Sequence, residues 1–99
     1  MPRPPPQPTD LAEAELVVSG KHKPKELGKL LRSIREASGV TQVRLAKRLK
    51  IPYTNVSRLE NGAQEGMLST VNRYLRALGW ELVLVARRRA GGKVDEESG

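Results

Sequence analysis

Apolar positions recur along the chain with two different periods, and the change of period divides it. Between residues 24 and 38, Leu27, Leu30, Leu31 and Ile34 fall at i, i+3, i+4 and i+7, the stripe of an amphipathic helix. Lys25, Lys29, Arg32 and Glu36 take the other side, with Pro24 suited to the first helical position and Gly39 to a stop. A second short stripe, Leu45, Ala46 and Leu49, follows Thr41, whose hydroxyl can accept from an orphaned amide of the first turn. A third stripe holds Val56 and Leu59, with Ile51 as an apolar plug between the two halves. Pro52 suits the first turn of that helix, and Gly62 offers a left-handed stop. Ala46 leaves room for two helices to cross steeply. A fourth helix is expected over residues 67–78, with Leu68, Val71, Leu75 and Leu78 on one face and Gly79 at its end.

Beyond Gly79 the period changes. Trp80, Leu82, Val83, Leu84 and Val85 place apolar residues on both faces of a run of strand length. A lone strand leaves its backbone groups without partners. The simplest remedy is pairing with the same strand of a second copy around a two-fold axis. Continuation of the helix is the alternative, opposed by Gly79 and the branched side chains. At the other end, residues 1–8 hold five of the seven prolines and read as an extended arm. Leu11, Leu16, Val17 and Val18 fit neither period, and a basic linker with the single histidine, His22, leads into the first helix. The expected division is an arm at 1–23, a helical domain at 24–79, a dimerisation strand at 80–88 and a disordered tail at 89–99.

Ninety-nine residues make one small domain with a modest core. Phenylalanine is absent and the aromatics are Tyr53, Tyr74 and Trp80, so that core is aliphatic and thin, which favours dimerisation as a source of buried area. The net charge of +7 is unevenly spread. Residues 21–61 carry eleven Lys or Arg against three Glu, whereas residues 1–20 and 90–99 are each net −2. Basic charge on the helical unit points to a polyanion partner. The alternative, a solvated basic surface kept for solubility, is weakened by its placement on this unit.

Catalysis finds no support. One histidine in a linker and no cysteine leave no Ser-His or Cys-His pair and no metal cluster, and no cofactor is implied. The carboxylates Asp95, Glu96 and Glu97 cluster only in the tail, and no Gly-rich phosphate loop occurs. The longest apolar run is too short to cross a bilayer and the N-terminus has no signal pattern, so a cytoplasmic location is expected.

Two motifs carry a resemblance. Thr-Gln-x-x-Leu-Ala at 41–46 and Val-Ser-x-Leu-Glu-Asn-Gly at 56–62 resemble the Cro/CI-type (Xre family) helix-turn-helix proteins without a gap. The likeness is strong over residues 25–62 and continues loosely to Arg87, where the chain looks like HipB-like antitoxins. One departure is Lys50, where many members carry Gly; a left-handed backbone there costs Lys about 1 kcal/mol. The resemblance implies an all-α, lambda repressor-like bundle of about four helices with a C-terminal β-strand pairing across a dimer. It also implies a structural ion pair between Arg35 and Glu60.

In a helix-turn-helix the second helix lies in the major groove with its first turn at the base edges. By spacing, Pro52, Tyr53, Thr54, Ser57 and Arg58 lie away from Val56 and Leu59. By resemblance, Tyr53, Thr54, Ser57 and Arg58 match base-reading positions. Arg58 is the best candidate for specificity, since a guanidinium donates two bonds to guanine. The alternatives are packing against the turn for Tyr53 and a phosphate contact for Arg58. Gln42, beside Thr41 at a helix N-terminus, with Arg44, Lys47, Asn55 and Asn61, is expected to hold phosphates. The function implied is a homodimeric repressor on a palindromic operator of double-stranded DNA, and in its finer form the antitoxin of a toxin–antitoxin pair. A stand-alone Cro/CI-type regulator and a protein-interaction module that reads no DNA are the competing readings.

Overall fold

Four helices end in the same way, and that shared ending shapes the bundle. In a computed structural model, which describes residues 13–16, 24–63 and 67–94, they are α1 (Pro24–Ala37), α2 (Gln42–Leu49), α3 (Tyr53–Asn61) and α4 (Leu68–Ala77). The Pro-rich arm, most of the basic linker, loop residues 64–66 and the acidic cluster at 95–97 lie outside the described residues. Gly39, Lys50, Gly62 and Gly79 follow the four helices with φ of 70°, 58°, 70° and 84°. At each, the next amide reaches back to a carbonyl of the last turn: Val40 to Arg35, Ile51 to Ala46, Ala63 to Arg58 and Trp80 to Leu75. The reversed backbone satisfies the orphaned carbonyls and turns the chain sharply, so short helices pack as a bundle. Three of the four stops are glycine, which takes this conformation freely; Lys50 takes it at a cost.

Each helix turns one stripe inward. Leu31 and Ile34 of α1, Leu45 and Ala46 of α2, Val56 and Leu59 of α3, and Val71, Tyr74 and Leu75 of α4 form the buried core with Val40. Leu27, Leu30, Leu49, Ile51, Leu78, Trp80 and Leu82 pack around it. Two expectations change. Leu68 is 58% exposed and stands outside the core, while Tyr74, 1% exposed, fills the place of the missing phenylalanines. Pro52 is the residue just before α3, with extended backbone (ψ 143°), rather than part of its first turn. Its missing N–H is harmless in either position.

α1 crosses α3 with backbone against backbone at Gly28. A methyl at Gly28 would stand 2.2 Å from the Glu60 carbonyl oxygen and 2.7 Å from that of Leu59. α2 and α4 are tied end to end by two arginines. Arg48 donates to the carbonyl of Ala77 (3.2 Å), the last residue of α4, and Arg73 donates to that of Leu49 (3.0 Å), the last of α2. Each cation thus meets the negative end of the other helix.

After Gly79 the chain leaves the helical conformation, so the helix does not continue. No strand forms among the described residues, because residues 80–88 of a single chain find no neighbouring strand to pair with. Trp80 and Leu82 return to the core, and the Leu82 amide donates to Asn72 Oδ1 of α4 (3.3 Å). Ala90 and Gly91 form a turn at the end of the described segment. Among the described residues no helix is long and apolar enough to cross a membrane.

Two substitutions of glycine type have opposite expected signs. Lys50→Gly relieves the left-handed backbone and raises unfolding stability by about 1 kcal/mol. Gly28→Ala, stabilising in an ordinary exposed helix, instead forces α1 from α3 and lowers stability by roughly 1–3 kcal/mol. Urea midpoints of the two variants beside the native chain measure both.

Candidate nucleic-acid interface

α2, the turn at Lys50–Ile51 and α3 form the unit on which the candidate surface is built. Thr41 opens α2: with extended backbone it accepts from the Arg44 amide at 3.1 Å, one of the donors a helix start leaves without a partner. Val56, Leu59 and Glu60 anchor α3 inward. A rotation of about 100° per residue then sets Thr54, Arg58 and Asn61 on the opposite stripe. Pro52, Tyr53, Thr54, Asn55, Arg58 and Asn61 are all exposed, and Ser57 is half-buried. Asn61 Nδ2 donates to Ser57 Oγ at 3.3 Å, which ties these two side chains to each other. Arg44 and Lys47 of α2 are exposed on the same unit, as is Lys50 in its turn.

What holds α3 at this rotation is a buried carboxylate. Glu60, whose side chain is fully buried, receives Arg35 Nε on Oε2 (2.7 Å) and Arg35 Nη2 on Oε1 (2.8 Å). The third arm of the guanidinium, Nη1, donates to the Val40 carbonyl at 2.8 Å, so Arg35 also fixes the chain where α1 gives way to α2. Gln42 Nε2 donates to Oε1 at 3.2 Å. The Tyr74 hydroxyl lies 2.6 Å from Oε2 and 3.0 Å from the Leu31 carbonyl. It has one proton, and the charged oxygen is the stronger acceptor. Three elements, α1, α2 and α4, therefore meet on one side chain of α3, and no buried side-chain polar atom among the described residues lacks a partner.

The electrostatics follow from this arrangement. Burial alone would push the Glu60 carboxyl up, but the hydrogen bonds from Arg35, Tyr74 and Gln42 outweigh it and hold the group below its ordinary value. The hydrogen bond to Glu60 raises Arg35 further, against burial. Burial, then the hydrogen bond to Glu60, pushes the Tyr74 hydroxyl well above its ordinary value. All three groups thus keep one protonation state throughout the physiological range.

Over residues 26–88 the chain matches the family model described as a helix-turn-helix domain. The match spans α1 to α4 and most of the segment that follows. The chain belongs to the helix-turn-helix domain family. No curated protein matches it in sequence. The helix-turn-helix domain is a DNA-binding, non-enzymatic fold, and the chain is in general terms a DNA-binding regulator. Among the described residues of this helix-turn-helix domain no cluster of His, Cys, Asp or Glu is placed to hold a metal ion.

Of the residues singled out by sequence for phosphate contact, Gln42 is the one the structure turns inward, its amide shared with Glu60. Its second N–H remains for another acceptor. Arg44, Lys47, Asn55 and Asn61 stand at the surface of the helix-turn-helix unit. Tyr74 was missed as part of the carboxylate cluster. Its signal was a polar aromatic ring in the apolar stripe of α4, since a buried phenol requires an acceptor. Gly28 was missed too; an isolated glycine inside a helical stripe often marks a close backbone approach.

Tyr74→Phe removes one donor to the buried carboxylate and is expected to lower stability by about 1–3 kcal/mol near neutral pH. The depressed Glu60 group contributes stability that is complete above its unfolded value, near 4.3, and is lost as pH falls through the lower folded value. The variant's deficit therefore persists as pH falls past the unfolded value and shrinks only as pH passes through the depressed folded values, where Glu60 becomes protonated in both proteins. Denaturant titrations of both proteins across the acid range test this; a deficit independent of pH places the hydroxyl's contribution elsewhere.

Proposed function

We propose that the chain is a sequence-specific transcriptional repressor that acts as a homodimer on a palindromic operator, with α3 in the major groove. The observation that carries the reading is the rotation of α3. The inward carboxylate of Glu60 leaves Thr54 and Arg58 on the outer stripe, with Tyr53 and Pro52 at the helix start. In this assignment Arg58 reads guanine through two hydrogen bonds, Tyr53 meets a thymine methyl, and Thr54 and Ser57 allow close approach. Arg44, Lys47, Asn55, Asn61, the free N–H of Gln42 and the N-terminus of α2 at Thr41 hold phosphates and set register. The net positive charge concentrated on residues 21–61 supports the same partner.

The dimer is supported by residues 80–85. Trp80 and Leu82 lean on the core, whereas Val83, Leu84 and Val85 are apolar and exposed in the single chain. A second copy covers them and brings two α3 helices to one side of a duplex. The resemblance to HipB-like antitoxins gives the finer form of the proposal, a repressor of its own toxin–antitoxin operon with a toxin as second protein partner. Co-purification with the product of a neighbouring reading frame tests that form.

Arg58→Ala is expected to weaken binding to the operator by about 1–3 kcal/mol and to relax preference at one base pair per half-site. Competition gel shifts with singly substituted operators measure both. An equal loss on every duplex, with a shallower salt dependence, assigns Arg58 to phosphate instead.

A further inference from the structure

Residues 81–87, Glu-Leu-Val-Leu-Val-Ala-Arg, have a symmetry of their own. Leu84 is the centre; Val83 and Val85 flank it, then Leu82 and Ala86, then Glu81 and Arg87. Apolar residues mirror apolar residues, and the outermost pair mirrors with opposite charge. A chain that meets a copy of itself antiparallel about a two-fold axis juxtaposes such mirror positions. We propose that two copies pair along this segment with the axis at Leu84, so that Glu81 of each protomer faces Arg87 of the other. The inference rests on the dimer reading above and adds its register.

Three observations support it independently of the mirror pattern. First, Val83, Leu84 and Val85 are 67%, 68% and 83% exposed, a contiguous apolar run that the single chain leaves bare. Second, Glu81 and Arg87 are both exposed, and neither forms an ion pair among the described residues. Third, the Leu82 amide is already taken by Asn72 Oδ1 of α4. In an extended chain the amides of alternate residues point to the same edge. The edge of Leu82, Leu84 and Ala86 then faces α4, and the edge of Glu81, Val83, Val85 and Arg87 is free for a partner. Side chains alternate as well, so Leu84 continues the face on which Trp80 and Leu82 pack against the core.

The free edge admits only registers that pair odd-numbered residues with odd-numbered ones. Moving the axis to Val83 sets Glu81 against Val85. Moving it to Val85 sets Val83 against Arg87 and Leu82 against Arg88. With the axis at Leu84 every residue of the apolar run 82–86 meets an apolar one: Val83 with Val85, Leu82 with Ala86, Leu84 with itself. Parallel pairing is opposed by charge, because Glu81 would meet Glu81 and Arg87 would meet Arg87.

Charge exchange in the full-length chain tests the register. Glu81→Arg and Arg87→Glu each replace two opposite-charge contacts by two like-charge ones, and each is expected to weaken the dimer at least about tenfold by sedimentation equilibrium. The double variant E81R/R87E is expected to return to within about threefold of the native chain. Circular dichroism checks that the helical content is unchanged, since both side chains are exposed. Failure of the double variant to recover, or recovery with Arg89→Glu in place of Arg87→Glu, overturns the register while leaving the dimer. A native chain that sediments as a monomer throughout overturns the dimer as well. Hydrogen exchange gives a readout without substitution: the Val83 and Val85 amides are protected in a concentration-dependent way and the Leu84 amide is not. Equal protection of all three contradicts the pairing edge.

Discussion

The carboxylate of Glu60 is the fixed point of this molecule. It sits on the inner side of α3 with no access to water and collects donors from α1, the start of α2 and α4. A buried ion pair gives back in desolvation much of what it gains in attraction, so its worth lies less in net stability than in allowing one geometry. The planar guanidinium of Arg35 meets the carboxylate edge to edge, and that fork tolerates little rotation. Turning α3 by one residue about its axis would carry the carboxylate away from Arg35, Gln42 and Tyr74 and put Leu59 or Asn61 in its place. The face that α3 presents outward is therefore decided from inside.

Close packing makes the clamp possible. Glu60 reaches Arg35 because α3 lies against α1 at Gly28, where backbone meets backbone. Gly62 repeats the device at the end of the same helix, beside the backbone of Lys25. The core is otherwise aliphatic and small. Tyr74 is the one ring among its fully buried residues, and its hydroxyl carries α4 into the same cluster. The reciprocal arginines Arg48 and Arg73 tie α2 to α4 without drawing on that limited core.

The helices and their ends were legible because each rests on local rules. Apolar spacing gave the four stripes, and Gly39, Gly62 and Gly79 marked stops that the backbone takes up. The identity of the fourth stripe was less legible. Leu68 and Tyr74 both lie on turns of α4, and only the packed neighbours decide that Tyr74 enters the core. Contacts between elements distant in sequence were hidden for the same reason: nothing local tells that Gly28 meets Glu60, or that Arg48 finds the end of α4. The family motif carried the position of Arg35 and Glu60, yet not the shared hold of Gln42 and Tyr74 on that carboxylate. The segment after Gly79 shows the opposite limit. Its strand-like composition is plain, but a strand is a property of two chains side by side.

In the dimer we propose, rotation of α3 and pairing of the two C-terminal segments jointly determine where the reading faces stand on a duplex. Footprinting of the native chain on the DNA upstream of its own reading frame, at low ionic strength, tests that union most directly. The account predicts two protected patches on one side of the duplex with centres about one helical turn apart, about 34–36 Å, lost together as salt is raised. A single protected patch, or uniform coverage without register, contradicts it.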